Sequence, residues 1–341
     1  MRLPRSLVLA SVLALSASAA QAAGELHLYN WGNYTAPKMI EKFEKQYDVK
    51  VTVSEYDSSD TALAKIKAGG HGFDMVVPTQ NFIPIFIEEG LFLEARPDQM
   101  ENFKHTAPMF LKQAWDPENH YVVPWLWGTT GIAVNTKLYT GGITSWSLVF
   151  DPPEELKGKI NVVPVMNDVI NAVMMWKGYP ICDDNREHLK ELRDILVKAK
   201  PSWASMNYGA NDMLSRGDYQ VALSWNGKTL GARLEDANIK YVYPDEGVVV
   251  GGDFLAILKD AKNVENAKLF MNFVMDPENA GLLSDFGKSA TGIIGSEKFL
   301  PKEIADAPEI VMPETVKTAY GKTCSNEVNQ IYSQIWTELM R

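Results

Sequence analysis

Cysteine and histidine, the side chains on which most zinc sites depend, are scarce in this sequence. Its 341 residues include two cysteines, and its five histidines are scattered at positions 27, 71, 105, 120 and 188. No histidine pair has the spacing of a metal-binding helix such as H-E-x-x-H, and two isolated cysteines do not make a zinc site. We therefore predict no metal site and no cofactor.

Several enzyme motifs are missing too, and basic residues are in the minority. The sequence contains no G-x-S-x-G, no G-x-G-x-x-G and no P-loop, so nothing indicates a hydrolase nucleophile or a bound nucleotide. It has 33 Lys and Arg against 43 Asp and Glu, a net charge of −10. That balance argues against nucleic acid as a partner. It suits a cationic ligand, although many soluble proteins are simply acidic.

A long apolar run occurs only at the N-terminus, where Arg2 and Arg5 precede an apolar stretch from Leu7 to Leu15. The sequence Ala20-Gln21-Ala22 follows and has the form of a signal-peptidase site. The stretch is shorter than the roughly 18 residues that span a bilayer, although an N-terminal anchor remains the alternative. We predict a signal peptide at 1–22, no lipid anchor because no cysteine lies near the site, and a mature protein free in the periplasm.

From residue 25 onwards, short strands alternate with amphipathic helices. Strands are expected at 26–30, 49–53 and 73–77, with helices between them at 35–47, where Thr35 would be the N-cap, and at 62–68. A second set of strands and helices begins near residue 132. This alternation is typical of α/β folds. We predict two lobes, each a mixed sheet flanked by helices, formed by 23–131 with 254–310 and by 132–253 with 311–341.

A cleft between two such lobes would bind a ligand at the carboxyl ends of the strands and close by hinge motion. Export permits a disulfide between Cys182 and Cys324, but the sequence leaves both the paired and the unpaired state open.

Aromatic residues directly follow the predicted strands of both lobes. Trp31 and Tyr34 follow the first strand, and Trp225 follows a strand of the second lobe. Aromatic faces attract ammonium groups by about 0.5–2 kcal/mol and pack methylene chains. The alternative is that each tryptophan belongs to a core.

A buried ammonium group also needs a carboxylate, since an unpaired buried charge is costly. Asp253 precedes the 254–258 strand and Asp168 begins the 169–177 helix, so both are candidates. Asp168 could equally be a helix N-cap, and Asp253 could be a turn residue after two glycines.

These residues lie in motifs that resemble the periplasmic spermidine/putrescine-binding proteins over nearly the whole mature chain. The matching motifs are Tyr29-Asn30-Trp31 with Tyr34, residues 74–79, residues 127–135, Trp225-Asn226-Gly227, and Asp253 with residues 255–257.

The resemblance implies a type II periplasmic binding protein fold, a monomer, and delivery to an ABC permease with a cytoplasmic ATPase. It also implies that Trp31, Tyr34 and Trp225 enclose a methylene chain and that the Thr79 hydroxyl lines the cleft. By the same resemblance, Asp253 holds an amine and Asp168 contacts the far part of the ligand.

The sequence departs from that family's pattern at several cleft positions. Asn33 replaces a usual acid, and Val165 and Lys228 stand where related binders have Asp. Lys288 replaces a tyrosine, and Asn81 and Gly251 replace aromatic walls. Two like charges about 4 Å apart cost on the order of 4 kcal/mol at an effective dielectric of 20. One hypothesis is therefore a zwitterion such as 4-aminobutyrate, with its amine at Asp253 and its carboxylate at Lys228.

Other functions remain as alternatives. If Lys228 points to solvent, the protein is an ordinary putrescine or spermidine binder. A binding protein that docks on a membrane receptor for sensing would have the same sequence features. A glycosidase-type enzyme would need two carboxylates at a set separation. Nothing in the sequence fixes Asp168 and Asp253 at such a distance, so we predict that the protein is not an enzyme.

Overall fold

The computed structural model describes residues 24–341, without the side chains of residues 210–212, so the predicted signal peptide lies outside the described residues. The strands are β1 Gly24–Trp31, β2 Val49–Tyr56, β3 Met75–Val76, β4 Val122–Asn135, β5 Ile160–Val162, β6 Ser205–Met206, β7 Val221–Trp225, β8 Ile239–Val242, β9 Val248–Ile257 and β10 Thr318–Tyr320. The helices are α1 Pro37–Tyr47, α2 Ser59–Lys67, α3 Ile83–Glu88, α4 Ser147–Phe150, α5 Met166–Lys177, α6 Arg186–Ala199, α7 Ala210–Arg216, α8 Asn226–Glu235, α9 Val264–Val274, α10 Pro277–Gly287, α11 Lys302–Ala305 and α12 Asn326–Leu339.

Local sequence explains where several helices begin. The side chains of Ser58, Asn185 and Asp276 accept backbone N–H groups at the first turns of α2, α6 and α10, as N-caps do. The predicted cap of α1 is wrong. That helix begins at Pro37 without a side-chain cap, because the Thr35 hydroxyl instead accepts a hydrogen bond from Asn30 Nδ2 at 2.8 Å.

The ten strands of the described residues form one mixed sheet in the order β2-β1-β3-β9-β4-β7-β5-β6, with β10 beside β9 and β8 beside β4. Parallel pairs lie at both ends of this order: β1 with β2 and β3, and β5 with β6 and β7. The central strands β4 and β9 are antiparallel to each other. The α/β architecture with a mixed sheet is thereby confirmed.

Two separate sets of buried residues correspond to two lobes. In the first, alternate residues of β1 point to opposite faces of the sheet, so Leu28 packs with Phe43 and Phe270 while Tyr29 packs with Phe73. In the second, β5 and β7 pack against α5, α6 and α12 around a core that includes Trp146, Leu192 and Tyr332. Ile304 and Ala307 pack with Leu230 of α8 in a smaller cluster. The lobe boundaries stay a prediction.

The long strands β4 and β9 join the two cores. Near Val123 and Leu255 they pair inside the first core, and near Thr130 and Val249 they pair beside the second. The sequence Gly251-Gly252-Asp253 therefore lies within β9 and forms no turn. Any ligand group between the lobes would lie against these crossing strands.

A third connection between the lobes runs through the C-terminal segment. Gln80 Nε2 donates to the carbonyl oxygens of Val250 and Gly321, and the Thr323 hydroxyl donates to Asn81 O at 2.6 Å. The next residue, Cys324, forms a disulfide with Cys182, with Cα atoms 5.1 Å apart, so the two cysteines are paired. Within the described residues, the helices are too short or too polar to cross a membrane.

Candidate functional site

Asp253 lies in the middle of the crossing strand β9, beside Thr79 of the first lobe. The two residues form an antiparallel bridge, so their side chains lie close together. Asp253 Oδ2 accepts a hydrogen bond of 2.9 Å from the Tyr34 hydroxyl. Its other oxygen, Oδ1, is buried and accepts no hydrogen bond from the described residues. Buried polar groups are normally paired, so this oxygen calls for a partner that the protein does not supply.

The environment of Asp253 favours its neutral form. Burial is the main reason that its pKa is raised from 3.8 to about 7, and the Asp168 carboxylate adds to the effect. The hydrogen bond from Tyr34 opposes the shift, and so does the neighbouring indole N–H of Trp31, whose own bond goes to the Val77 carbonyl. A cation placed at Oδ1 would reverse it.

Asp74, a fully buried carboxylate of the first lobe, shows the usual arrangement for comparison. Its two oxygens accept hydrogen bonds from the backbone N–H groups of His27, Lys262 and Asn263 and from the Asn263 side chain. Asp74 thus ties β1 to the loop before α9. The partly buried Asp253 accepts a single such bond, from a side chain, which separates it from a structural carboxylate.

Aromatic rings surround the first-lobe side of Asp253. The Trp31 indole N–H donates to the Val77 carbonyl at 3.0 Å, and the Tyr56 hydroxyl donates to the same oxygen. The two rings are neighbours across β1 and β2, with centroids 4.7 Å apart. The backbone of Tyr34 is held by the buried Trp125, which donates its indole N–H to the Tyr34 carbonyl at 3.1 Å. These bonds fix the orientation of the Trp31 ring and the backbone of Tyr34.

Asp168 and Trp225 form the corresponding pair in the second lobe. Trp225 ends β7, and its indole N–H donates to Asp168 Oδ2 at 2.7 Å. Asp168 is not an N-cap: α5 begins at Met166, and Val165 occupies the cap position without capping. Burial raises the pKa of Asp168 to about 6, although hydrogen bonds from Trp225 and Thr130 oppose the shift. The second lobe therefore also presents a carboxylate that lacks a cation among the described residues.

Thr79 and Asn33 have different surroundings. The Thr79 hydroxyl lies 3.1 Å from that of Ser59, next to the bridge with Asp253. Asn33 is exposed in the left-handed conformation, with φ 54°, and its N–H donates to Glu55 Oε1 at 3.1 Å. Asparagine adopts that conformation more readily than most residues. The predicted ligand contacts of both residues stay predictions.

The two lysines that the sequence places in the cleft are not equivalent. Lys228 is exposed in the first turn of α8, and its ammonium forms no ion pair with the described residues. The Lys288 ammonium is paired with Asp285 Oδ1 at 2.8 Å and also donates to the Asp285 carbonyl. The Lys288 backbone nevertheless lies against α8, where a β-carbon at Gly227 would approach its carbonyl oxygen to 2.8 Å. Their predicted roles remain untested.

Sequence reasoning missed three residues near this site: Tyr56, Asp57 and Tyr208. Tyr56 and Asp57 come at the carboxyl end of β2, and Tyr208 follows β6. Each lies at or after the end of a strand, as Trp31 does, but that position alone does not show which strand ends meet. The carboxyl ends of parallel strands share one edge of a sheet, so residues after β1 and β2 are neighbours.

Chemically, the cleft offers two partly buried carboxylates, Asp253 on the crossing strand beside Tyr34 and Thr79 of the first lobe and Asp168 in the second lobe, with aromatic rings next to both. Such a set can hold ammonium groups and pack an apolar chain between them. Together, a mixed sheet shared by two cores and a polar cleft at its crossing strands define the class of two-lobed solute-binding proteins.

The chain belongs to the family of bacterial extracellular solute-binding proteins, whose model matches residues 38–311. It is 30% identical to the spermidine/putrescine-binding periplasmic protein of Escherichia coli, over 98% of this chain and 97% of the relative. It is 32% identical to a putrescine-binding periplasmic protein of Pseudomonas aeruginosa, over 92% and 91%.

A solved structure of a spermidine/putrescine ABC transporter protein from Listeria monocytogenes gives a TM-score of 0.84 at 30% identity, covering 93% of this chain and 98% of that one. The predicted family resemblance and the type II periplasmic binding protein fold are both confirmed.

Proposed function

We propose that this protein is the periplasmic solute-binding component of an ABC importer of the polyamine type, and that it binds a small linear amine between its lobes. One observation carries the proposal: Asp253 Oδ1 is buried, accepts no hydrogen bond from the described residues, and stands next to the ring of Trp31. An ammonium group supplies the missing donor and charge together. The names of the curated relatives, which bind putrescine or spermidine, support this ligand class.

The ligand we favour is a diamine, because the crossing strand and the second lobe each present a carboxylate to the cleft. Asp168 is close enough to Asp253 to raise its pKa, and neither carboxylate has a cationic partner among the described residues. A molecule with an ammonium at each end would satisfy both acids at once. Its methylene chain would then pack between the Trp31 and Trp225 rings.

An ω-amino acid such as 4-aminobutyrate is the second candidate, and one observation favours it. Lys228 lies three residues after Trp225, and its ammonium has no ion-pair partner among the described residues. It could receive a ligand carboxylate when the lobes close. Against this, the same carboxylate would have to lie near Asp168, and the repulsion would offset the gain.

Ligand delivery would follow from closure of the two lobes around the ligand. A ligand shifts the open–closed equilibrium only by its differential affinity for the closed form. A diamine with one ammonium on Asp253, beside Tyr34 and Thr79 of the first lobe, and the other on Asp168 of the second has that property, because both contacts need the lobes together. The closed monomer would then dock on a permease that is driven by a cytoplasmic ATPase.

A panel of ligands tests the proposal by thermal shift. The protein is unfolded with its disulfide intact, dialysed and refolded to remove any bound amine, then mixed with putrescine, cadaverine, spermidine or 4-aminobutyrate. At about 100 times the dissociation constant, a ligand adds roughly 2.7 kcal/mol, a shift of several degrees for a chain of this size. We expect the largest shift with putrescine or cadaverine.

The panel also separates the two candidates. A shift with 4-aminobutyrate alone would replace the diamine by the ω-amino acid. No shift with any of the four, while neutral or acidic solutes stabilise the protein, would contradict the proposed function.

A further inference from the structure

Tyr208 is an aromatic side chain whose exposure calls for an explanation. It follows β6 in the second lobe and is 65% exposed, more than any other large apolar residue described. The ring nevertheless has a definite position. It stacks on Trp225, with centroids 6.2 Å apart and ring planes within 25° of each other. Trp225 is in turn bonded to Asp168, so Tyr208 extends the second-lobe part of the candidate site outwards.

A carboxylate of the first lobe, that of Asp57, stands at the carboxyl end of β2, where Tyr56 pairs with Trp31 of β1. Burial raises the pKa of the Tyr208 phenol, and the carboxylates of Asp168 and Asp57 raise it further. Asp168 belongs to the second lobe, but Asp57 directly follows β2 of the first. The strands β2 and β6 are the two ends of the sheet order, so the electrostatic interaction of Asp57 with Tyr208 joins two parts of the sheet that do not pair with each other.

We propose that Tyr208 and Asp57 complete the ligand site from opposite lobes. Tyr208 extends the aromatic wall of Trp225, and Asp57 supplies a carboxylate at the mouth of the cleft for the ammonium that lies against this wall. This inference rests on the proposed function and adds two specificity-determining residues to it. It also gives the cleft a third carboxylate and another aromatic wall. These stand at other positions than the acids and aromatic residues of related binders that this sequence replaces.

The two residues have distinct expected effects. The Tyr208 ring would contribute cation–π attraction and apolar packing, which correspond to about 2- to 30-fold in affinity. The exposed carboxylate of Asp57 would act mainly through long-range attraction, which salt screens. Removing the ring should therefore weaken binding at any ionic strength, whereas removing the Asp57 charge should weaken it mostly at low salt.

The test is isothermal titration of putrescine into refolded wild type and three variants, at 20 mM and 500 mM NaCl. Tyr208→Ala should bind about tenfold more weakly at both salt concentrations. Tyr208→Phe, which keeps the ring, should stay within about threefold of wild type. Asp57→Asn should lose about three- to tenfold at low salt and much less at high salt.

Two matched control variants keep the test specific, and the melting temperature of each variant shows whether it is folded. Phe299→Ala removes another exposed aromatic ring, beside Gly281 in the first lobe, and Asp60→Asn removes an exposed charge three residues from Asp57. Both should bind putrescine as wild type does.

If Tyr208→Ala and Asp57→Asn also bind like wild type, the inference is wrong while the proposed function stands. If wild type binds no linear amine, the proposed function itself fails and the inference with it.

Discussion

Replacing Asp253 by asparagine should weaken putrescine binding by at least a hundredfold. Asparagine keeps the shape and can still accept the Tyr34 hydroxyl, but it brings no charge to the ligand ammonium. Removing one partner from a buried ion pair costs about 3–5 kcal/mol, because the other charge is left unpaired. Isothermal titration of refolded wild type and Asp253→Asn at pH 8 measures the loss directly.

A second readout separates loss of contact from loss of fold. The pKa of Asp253 is raised above its ordinary value, so the folded protein disfavours the ionised form that predominates at pH 8. Asp253→Asn removes that cost, and ligand-free stability at pH 8 should rise or stay level while the ligand-induced shift disappears. Asp60→Asn should change neither quantity. Putrescine affinity within threefold of wild type would show that Asp253 is not the amine site.

Putrescine affinity should also fall by about a hundredfold between pH 8 and pH 5 through protonation of Asp253 alone. The amine groups of the ligand stay protonated throughout, so the change comes from the protein. An ammonium binds the ionised carboxylate, and Asp253 has a pKa of about 7 in the free protein. Below that value, each pH unit costs about a factor of ten. Asp168, with a pKa of about 6, adds up to about tenfold more near pH 5 if it holds the second ammonium.

The number of protons released when putrescine binds provides an independent check of this prediction. At pH 6 the free protein holds a proton on Asp253 that the complex must release, so titration in buffers of different ionisation heat should show about one proton released. In Asp168→Asn, the affinity loss between pH 5 and pH 6 should fall towards one decade. An affinity that is constant from pH 5 to pH 8, or that rises with acid, would contradict the assignment of both carboxylates.

Most of the fold could be predicted from periodic patterns, because they report local geometry. Alternating residues in β1 and helical spacing in α6 and α9 gave the α/β class and the positions of those elements. The N-cap of α1 could not be predicted from such patterns. Thr35 has the right chemistry for a cap, but its hydroxyl is taken by Asn30, a bond that depends on how the chain turns after β1.

The candidate site was only partly visible in the sequence for a similar reason. Asp253 and Trp31 stood out because each adjoins a strand. Tyr56 and Asp57 did not, since their proximity to Trp31 requires β2 to lie beside β1 in parallel register. Tyr208 follows β6, at the opposite end of the sheet order from β2, so no local pattern encodes its interaction with Asp57.

The two cleft lysines also show what sequence cannot reveal. Their positive charge indicated that Lys228 and Lys288 could both bind an anionic ligand group. The structure places Lys288 in the left-handed position at the end of α10, where its ammonium pairs with Asp285. Such a pairing across one helix turn could have been considered from the spacing of the two residues. The disulfide joins cysteines 142 residues apart, and only the tertiary fold shows that they meet.

A crystal structure of the refolded protein with putrescine tests the central claim most directly. We predict one ligand between closed lobes, with a nitrogen about 3 Å from Asp253 Oδ1 and its methylene chain between Trp31 and Trp225. The other nitrogen should lie on the Asp168 side. A ligand bound elsewhere, or a closed cleft in which Asp253 Oδ1 still has no partner, would contradict the account.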